Sequence, residues 1–185
     1  MMRLPLATVA VACSLALSAP GAFALEFSAK QTTRNGAQSM SGKIYFQSDR
    51  WRVEMASPDG LKVAIHRLDR LVTWLLLPDR KYVEMPLRID QLPQVAPKIP
   101  GEVERTHVGT DLVGGRKTEK YRVALDLNGQ KQVLYQWVAP DIQFSMKLAS
   151  LDGSWESAFD HVVFDRQSPH LFELPAGYTK VPIQR

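Results

Sequence analysis

Residues 70–87 read RLVTWLLLPDRKYVEMPL, and the two halves of this stretch obey different rules. Residues 71–77 are apolar except for Thr73, with no alternate polar positions to face water. After Pro78-Asp79-Arg80 the pattern turns regular, with Val83 and Met85 on one side and Tyr82 and Glu84 on the other. A short apolar run bounded by turn residues fits a strand buried on both faces, and the alternation after it fits a hairpin partner. With a side-chain period of two, Leu71, Thr73, Leu75 and Leu77 share one face and Val72, Trp74 and Leu76 the other. One face is expected to look into a cavity. The other needs cover from residues 88–101, from a neighbouring element or from a partner.

The same period runs outward in both directions. Trp51, Val53 and Met55 alternate with Arg52 and Glu54, and Leu61, Val63 and Ile65 with Lys62, Ala64 and His66. Downstream, Tyr121, Val123 and Leu125 alternate with Lys120, Arg122 and Ala124, while Ile142, Phe144, Met146 and Leu148 alternate with Gln143, Ser145 and Lys147. Turn residues fall between the runs at Asn35-Gly36, Ser48-Asp49, Pro58-Asp59-Gly60, Pro78-Asp79, Gly114-Gly115, Asn128-Gly129, Pro140-Asp141 and Asp152-Gly153. Asn-Gly and Asp-Gly supply the positive φ that tight hairpins need. The expected fold is mainly β: an antiparallel curved sheet or open half-barrel of about ten or eleven strands. Residues 88–101 (RIDQLPQVAPKIPG) carry three prolines, which exclude a central strand, and they read as a packed loop or one short helix forming a lid.

The chain has 185 residues and a formal net charge of +4. It opens with Arg3, an apolar run over residues 4–17 and a small-residue end at Ala22-Phe23-Ala24. That order is a secretory signal peptide, with cleavage expected after Ala24 and one domain over residues 25–185. The single cysteine, Cys13, lies inside the leader; the preceding residues fit a lipidation box poorly, because Ala10 stands where a bulky aliphatic is needed. A mature chain cut after Ala24 has no disulfide and no thiolate chemistry. Its charges are interspersed, as in DRWRVE, which fits a solvated surface and, at most, transient contact with anionic membrane surfaces, not nucleic acid.

Catalytic signatures are not found in the sequence. His66, His107, His161 and His170 have no ligand spacing, so no metal site is expected, and no Gly-x-Ser-x-Gly elbow is present. GTDLVGGRKT (residues 109–118) has the outline of a phosphate loop, but Gly115 and Arg116 fill the lysine and hydroxyl slots and a strand follows in place of a helix; it reads as a β-turn. What remains is apolar and aromatic. Trp51, Met55, Trp74, Leu76, Trp137, Phe144 and Met146 are the candidate lining of a hydrophobic cavity.

The order of motifs, GKIYFQSDRWRVEM, then LPDRKYVEMPL, a Pro-rich excursion, GTDLVGGRKTEKYRV, the Trp137 strand and a closing LFELPAGYTKV, resembles the periplasmic LolA-like lipoprotein-carrier superfamily. The resemblance extends to the outer-membrane lipoprotein-sorting proteins, and most closely to a secreted branch whose members end in a similar Phe-x-x-Pro-x-Gly-Tyr. It implies an open, roughly eleven-stranded half-barrel whose cavity holds acyl chains, with no enzyme activity and no cofactor. The partner it implies is an acyl chain or lipoprotein; the alternative is an envelope protein held on the sheet surface. One departure stands out: LEFSAKQTTRNG reads as a strand where carriers begin with an amphipathic helix, so the lid is reduced or comes mainly from residues 88–101.

Overall fold

In the computed structural model, which describes residues 25–57, 60–88, 92–127 and 129–183, the chain is a single open sheet of twelve strands. The expected leader, and Pro58, Asp59 and Asn128 of the expected turns, lie outside the described residues. The first meander runs β1 (Glu26–Asn35), β2 (Gln38–Gln47), β3 (Arg50–Ser57), β4 (Gly60–Arg67), β5 (Val72–Leu77) and β6 (Lys81–Pro86). The second runs β7 (Glu102–Val113), β8 (Arg116–Leu127), β9 (Gln130–Ala139), β10 (Phe144–Ser150) and β11 (Trp155–Val163). Antiparallel pairing of β1 with β11 joins the two meanders. A two-residue strand, β12 (Thr179–Lys180), adds parallel to β6 and is the strand beyond the expected number.

The sheet does not close; β12 and β7 are its edges. The opening hairpin is β5–β6, and its turn is made by Asp79 (φ 59°) and Arg80 (φ 54°), the paired positive φ of a type I′ turn, here without glycine. The phosphate-loop look-alike is the β7–β8 hairpin. Its Gly114 has φ 56°, and a Cβ there would stand 3.1 Å from Asp160, so the turn can lie against β11 only without a side chain. Leu71 departs from the expected strand face. It is a turn residue with φ 55° and 65% exposed.

Register fixes the faces. Phe27 pairs with Phe46, Phe46 with Trp51, Trp51 with His66, and His66 with Thr73, so these share one side, the inner face. Irregular backbone over residues 92–101 covers part of that face; no helix is present among the described residues there. Val95 packs into the cluster of Phe27, Ile44 and Trp51, and Ile99 into a second one of Val123, Leu125, Leu134 and Leu148. Polar groups pin the segment: Arg105 Nη2 donates to Pro97 O (2.9 Å) and Gln136 Oε1 (2.6 Å), Gln136 Nε2 to Ala96 O (3.0 Å), and Ser145 N to Val95 O (2.9 Å). Buried Gln136 thus has both ends of its amide satisfied, as burial requires.

The outer face of the β5 hairpin is covered by the C-terminal segment. Leu174 packs on the cluster of Val63, Ile65 and Trp74, with Val72, Leu76 and Tyr82 around it. A short 3-10 helix, Pro169–Phe172, puts Phe172 at full burial. Arg67, 3% exposed, is the clamp: its guanidinium donates to Asp69 (2.6 and 2.8 Å), to Glu173 Oε1 (2.6 Å) and to Phe172 O (3.1 Å). Farther on, Lys180 reaches Glu84 (2.7 Å), whose other oxygen accepts from Trp74 Nε1 (3.0 Å). Arg67→Ala removes these charge-assisted bonds from a buried position. It is expected to destabilise the protein by about 2–4 kcal/mol and to raise hydrogen exchange selectively in residues 168–181, a pattern that mass spectrometry of exchanged peptides would reveal.

Candidate functional site

The inner face is covered only in part. Between β1–β4, β10, β11 and residues 92–94 lies a groove of about 470 Å³, inside the roughly 300–1,000 Å³ range of ligand clefts. Alternation and pairing build its floor. Ile44 pairs with Val53 across β2–β3, Val53 with Ala64 across β3–β4, and Trp51 with His66, so two adjacent rows of the floor follow from a single choice of face. Met40, Met55 and Trp155 form its more open end, where Met40 is 56% exposed. The other end is walled by aromatics: Phe27 stacks on Phe46 (5.2 Å between centroids), and Phe144 sits edge-on to both Phe27 (5.0 Å) and Phe159 (5.6 Å).

A bulge in β10 shapes the far wall. Ser145 pairs with Val138 and Leu148 with Gln136, so three steps on β10 match two on β9. Ser145 and Leu148 therefore share a face, which unbroken alternation forbids, and both line the groove. The expected regular alternation of Phe144, Met146 and Leu148 does not hold for that reason. Met146 is buried beside Gly114 and Val162, and Ile142 precedes the strand.

Of the residues singled out from sequence, Trp51 and Met55 line the groove. Phe144 stands in the aromatic wall behind it. Trp74 and Leu76 are on the outer face, under the C-terminal segment. Trp137 is also on the outer face, its Nε1 donating to Asp111 (3.2 Å) and its ring beneath the ammonium groups of Lys120 (4.8 Å) and Lys147 (5.0 Å). Sequence reasoning missed Ile44, Val53, His66, Ser145, Trp155 and Phe159. Once Trp51 is placed inward, hairpin register alone yields Val53, Ile44 and His66; nothing in the sequence marks the bulge.

No family model and no curated relative matches the chain. Among solved structures, an uncharacterized conserved protein from Thermus thermophilus superposes with a TM-score of 0.58 at 11% identity, over 87% of this chain and 92% of that one. MucB superposes at 0.57 with 13% identity over 82% of this chain, and the Pseudomonas aeruginosa MucA/MucB complex at 0.53 with 14% identity over 85%. The likeness is one of fold. This chain spans only 58% of the matched chain in both MucB structures. A domain described as an outer membrane lipoprotein-sorting protein, from Vibrio parahaemolyticus, reaches 0.38 at 12% identity over 80% of this chain and 88% of that one, too low to bear on the resemblance seen in sequence.

His66 is the titratable group of the groove with the largest displacement. Its ring lies flat on Trp51 (4.6 Å, 8°), and Nδ1 shares a hydrogen bond of 3.0 Å with Thr73 Oγ1. Burial disfavours the imidazolium and pushes the pKa from 6.5 down to about 4. The unfolded chain therefore takes up this proton before the folded one does. His66 costs nothing above pH 6.5, and its protonation in the unfolded state removes stability progressively as pH falls towards 4, by roughly 3 kcal/mol in total. His66→Gln is expected to flatten the fall in melting temperature between pH 7 and pH 4.5 relative to wild type; equal slopes for the two proteins would contradict it.

Proposed function

We propose that this chain is an exported, non-enzymatic binding or carrier protein whose inner-face groove holds a lipid, an acylated protein or another hydrophobic ligand. The observation that carries the proposal is the incomplete cover. An open sheet with an apolar floor of Ile44, Trp51 and Val53 keeps about 470 Å³ of groove beside residues 92–94, where a closed core would have been filled. Each methylene placed there gains roughly 0.8 kcal/mol. In this reading residues 1–24 are a leader cut after Ala24, residues 25–185 act in the periplasm, and the motif order resembling lipoprotein carriers reflects a shared mode of holding acyl chains.

A second reading, an envelope interaction or sensory module, has its own support. The edge strand β7 exposes Val103 (66%), Val108 (46%) and Leu112 (71%), a strand able to pair with another chain. MucB, similar in fold, has been crystallised with MucA.

The two readings separate in one experiment: express the full chain with its leader, purify it from the envelope and analyse extracted lipid by mass spectrometry. Stoichiometric lipid or lipoprotein is expected. Protein free of lipid that retains a single envelope partner would sink carriage. In the same preparation Met55→Glu, at the half-open end of the groove, should weaken binding of an alkyl fluorescent probe by about tenfold or more while leaving the melting temperature within a few degrees of wild type.

A further inference from the structure

A groove for hydrocarbon alone would be lined by groups that want nothing from a ligand, and this one is not. Ser145 is 1% exposed, lines the groove, and its Oγ has no hydrogen-bond partner. No other described side-chain nitrogen or oxygen buried to this degree lacks a partner. The β10 bulge is what turns this hydroxyl to the inner face, while the backbone N–H of the same residue is held by Val95 O. An unmet buried hydroxyl is costly, and a partner that supplies a hydrogen bond recovers that cost.

The charges around it decide what kind of partner fits. Lys147, in the same wall, has its ammonium on Glu156 (3.0 Å), and Glu156 lies between Trp155 and Ser157 in sequence and so points to the opposite face. Arg105 spends its guanidinium on Glu102, Gln136 and Pro97 O. His66 stays neutral under burial. Around Ser145 the described residues thus offer a carboxylate or phosphate no free cation, Lys62 lying across from Met55 at the open end, and an uncompensated buried anion is strongly disfavoured. A hydroxyl can both donate and accept, which suits an alcohol, an ester or an amide.

We propose that the groove selects an amphiphile with an uncharged hydrogen-bonding group, which seats on Ser145 Oγ beneath residues 92–95 while its hydrocarbon chain runs out towards Met40 and Met55. The inference rests on the ligand-binding reading above and adds the ligand's polarity and direction. Binding of 1-decanol and of decanoate at pH 7.5, followed by displacement of an alkyl fluorescent probe, tests it with wild type and Ser145→Ala. The expected result is decanol at least about tenfold tighter than decanoate, and a loss of about three- to tenfold for decanol in Ser145→Ala, with decanoate affinity unchanged. Ser145→Ala should also melt no lower than wild type without ligand, because it removes an unmet polar group. Equal or tighter binding of decanoate, or wild-type decanol affinity in the variant, overturns the inference and leaves the ligand-binding reading standing. Binding of neither compound and no displaceable probe overturns both.

Discussion

An open sheet has two faces and two edges, and this molecule is organised by the need to cover both faces of β5. Val72, Trp74 and Leu76 cannot face water together, and neither can Thr73 and Leu75 beside them. On the inner side Thr73 is buried, its Oγ1 sharing a hydrogen bond with His66 Nδ1 (3.0 Å). The outer side is met by the C-terminal segment, which Arg67 fastens through Asp69, Glu173 and Phe172 O. The closing LFELPAGYTKV is thereby explained as a strap: Phe172 and Leu174 bury, Gly177 (φ 82°) turns the chain past Arg80, and Thr179–Lys180 seal the β6 edge. Removing the clamp would expose apolar surface on a sheet that has nothing else to place there.

The groove follows from an asymmetry between these two covers. The strap lies along β3–β6, whereas the inner segment packs Val95 and Ile99 into the two inner clusters and leaves Val53 and Met55 of β3 half covered. Gly42 lies across from Met55, between it and Gln31 on the ladders. A Cβ on it would run into Glu54 O, so the floor is drawn tight by backbone at this point and open above it. The β10 bulge then sets the unpartnered Ser145 hydroxyl into the wall it shares with Lys147 and Ser157.

The strands, their turns and the open antiparallel class were legible in the sequence because period two and Asn-Gly or Asp-Gly punctuation are local signals. The cover of β5 was not. Leu174 meets Trp74 a hundred residues away in sequence, and no local pattern encodes which apolar segment lands on which face. The candidate site was legible for Trp51 and Met55, where alternation placed both on one side. Trp74 and Trp137 looked equally suitable as large aromatics on strands, yet one lies under the strap and the other between lysine ammonium groups. Ser145 was hidden for a different reason: a bulge changes the face of a residue without changing its identity.

The seam between β1 and β11 has a kinetic meaning. Each meander can zip by hairpins between neighbouring strands, but β1 lies in mid-sheet and gains its second partner only from a strand more than a hundred residues later; Gln31 and Ser157, which hydrogen bond across the seam, are 126 residues apart. Closing that loop costs chain entropy before any seam contact returns it, so high contact order makes the joining of the two halves the slow event in folding. Until then the aromatic wall, which takes Phe27 from β1 and Phe144 and Phe159 from the second meander, does not exist, and the groove it bounds is among the last features to form.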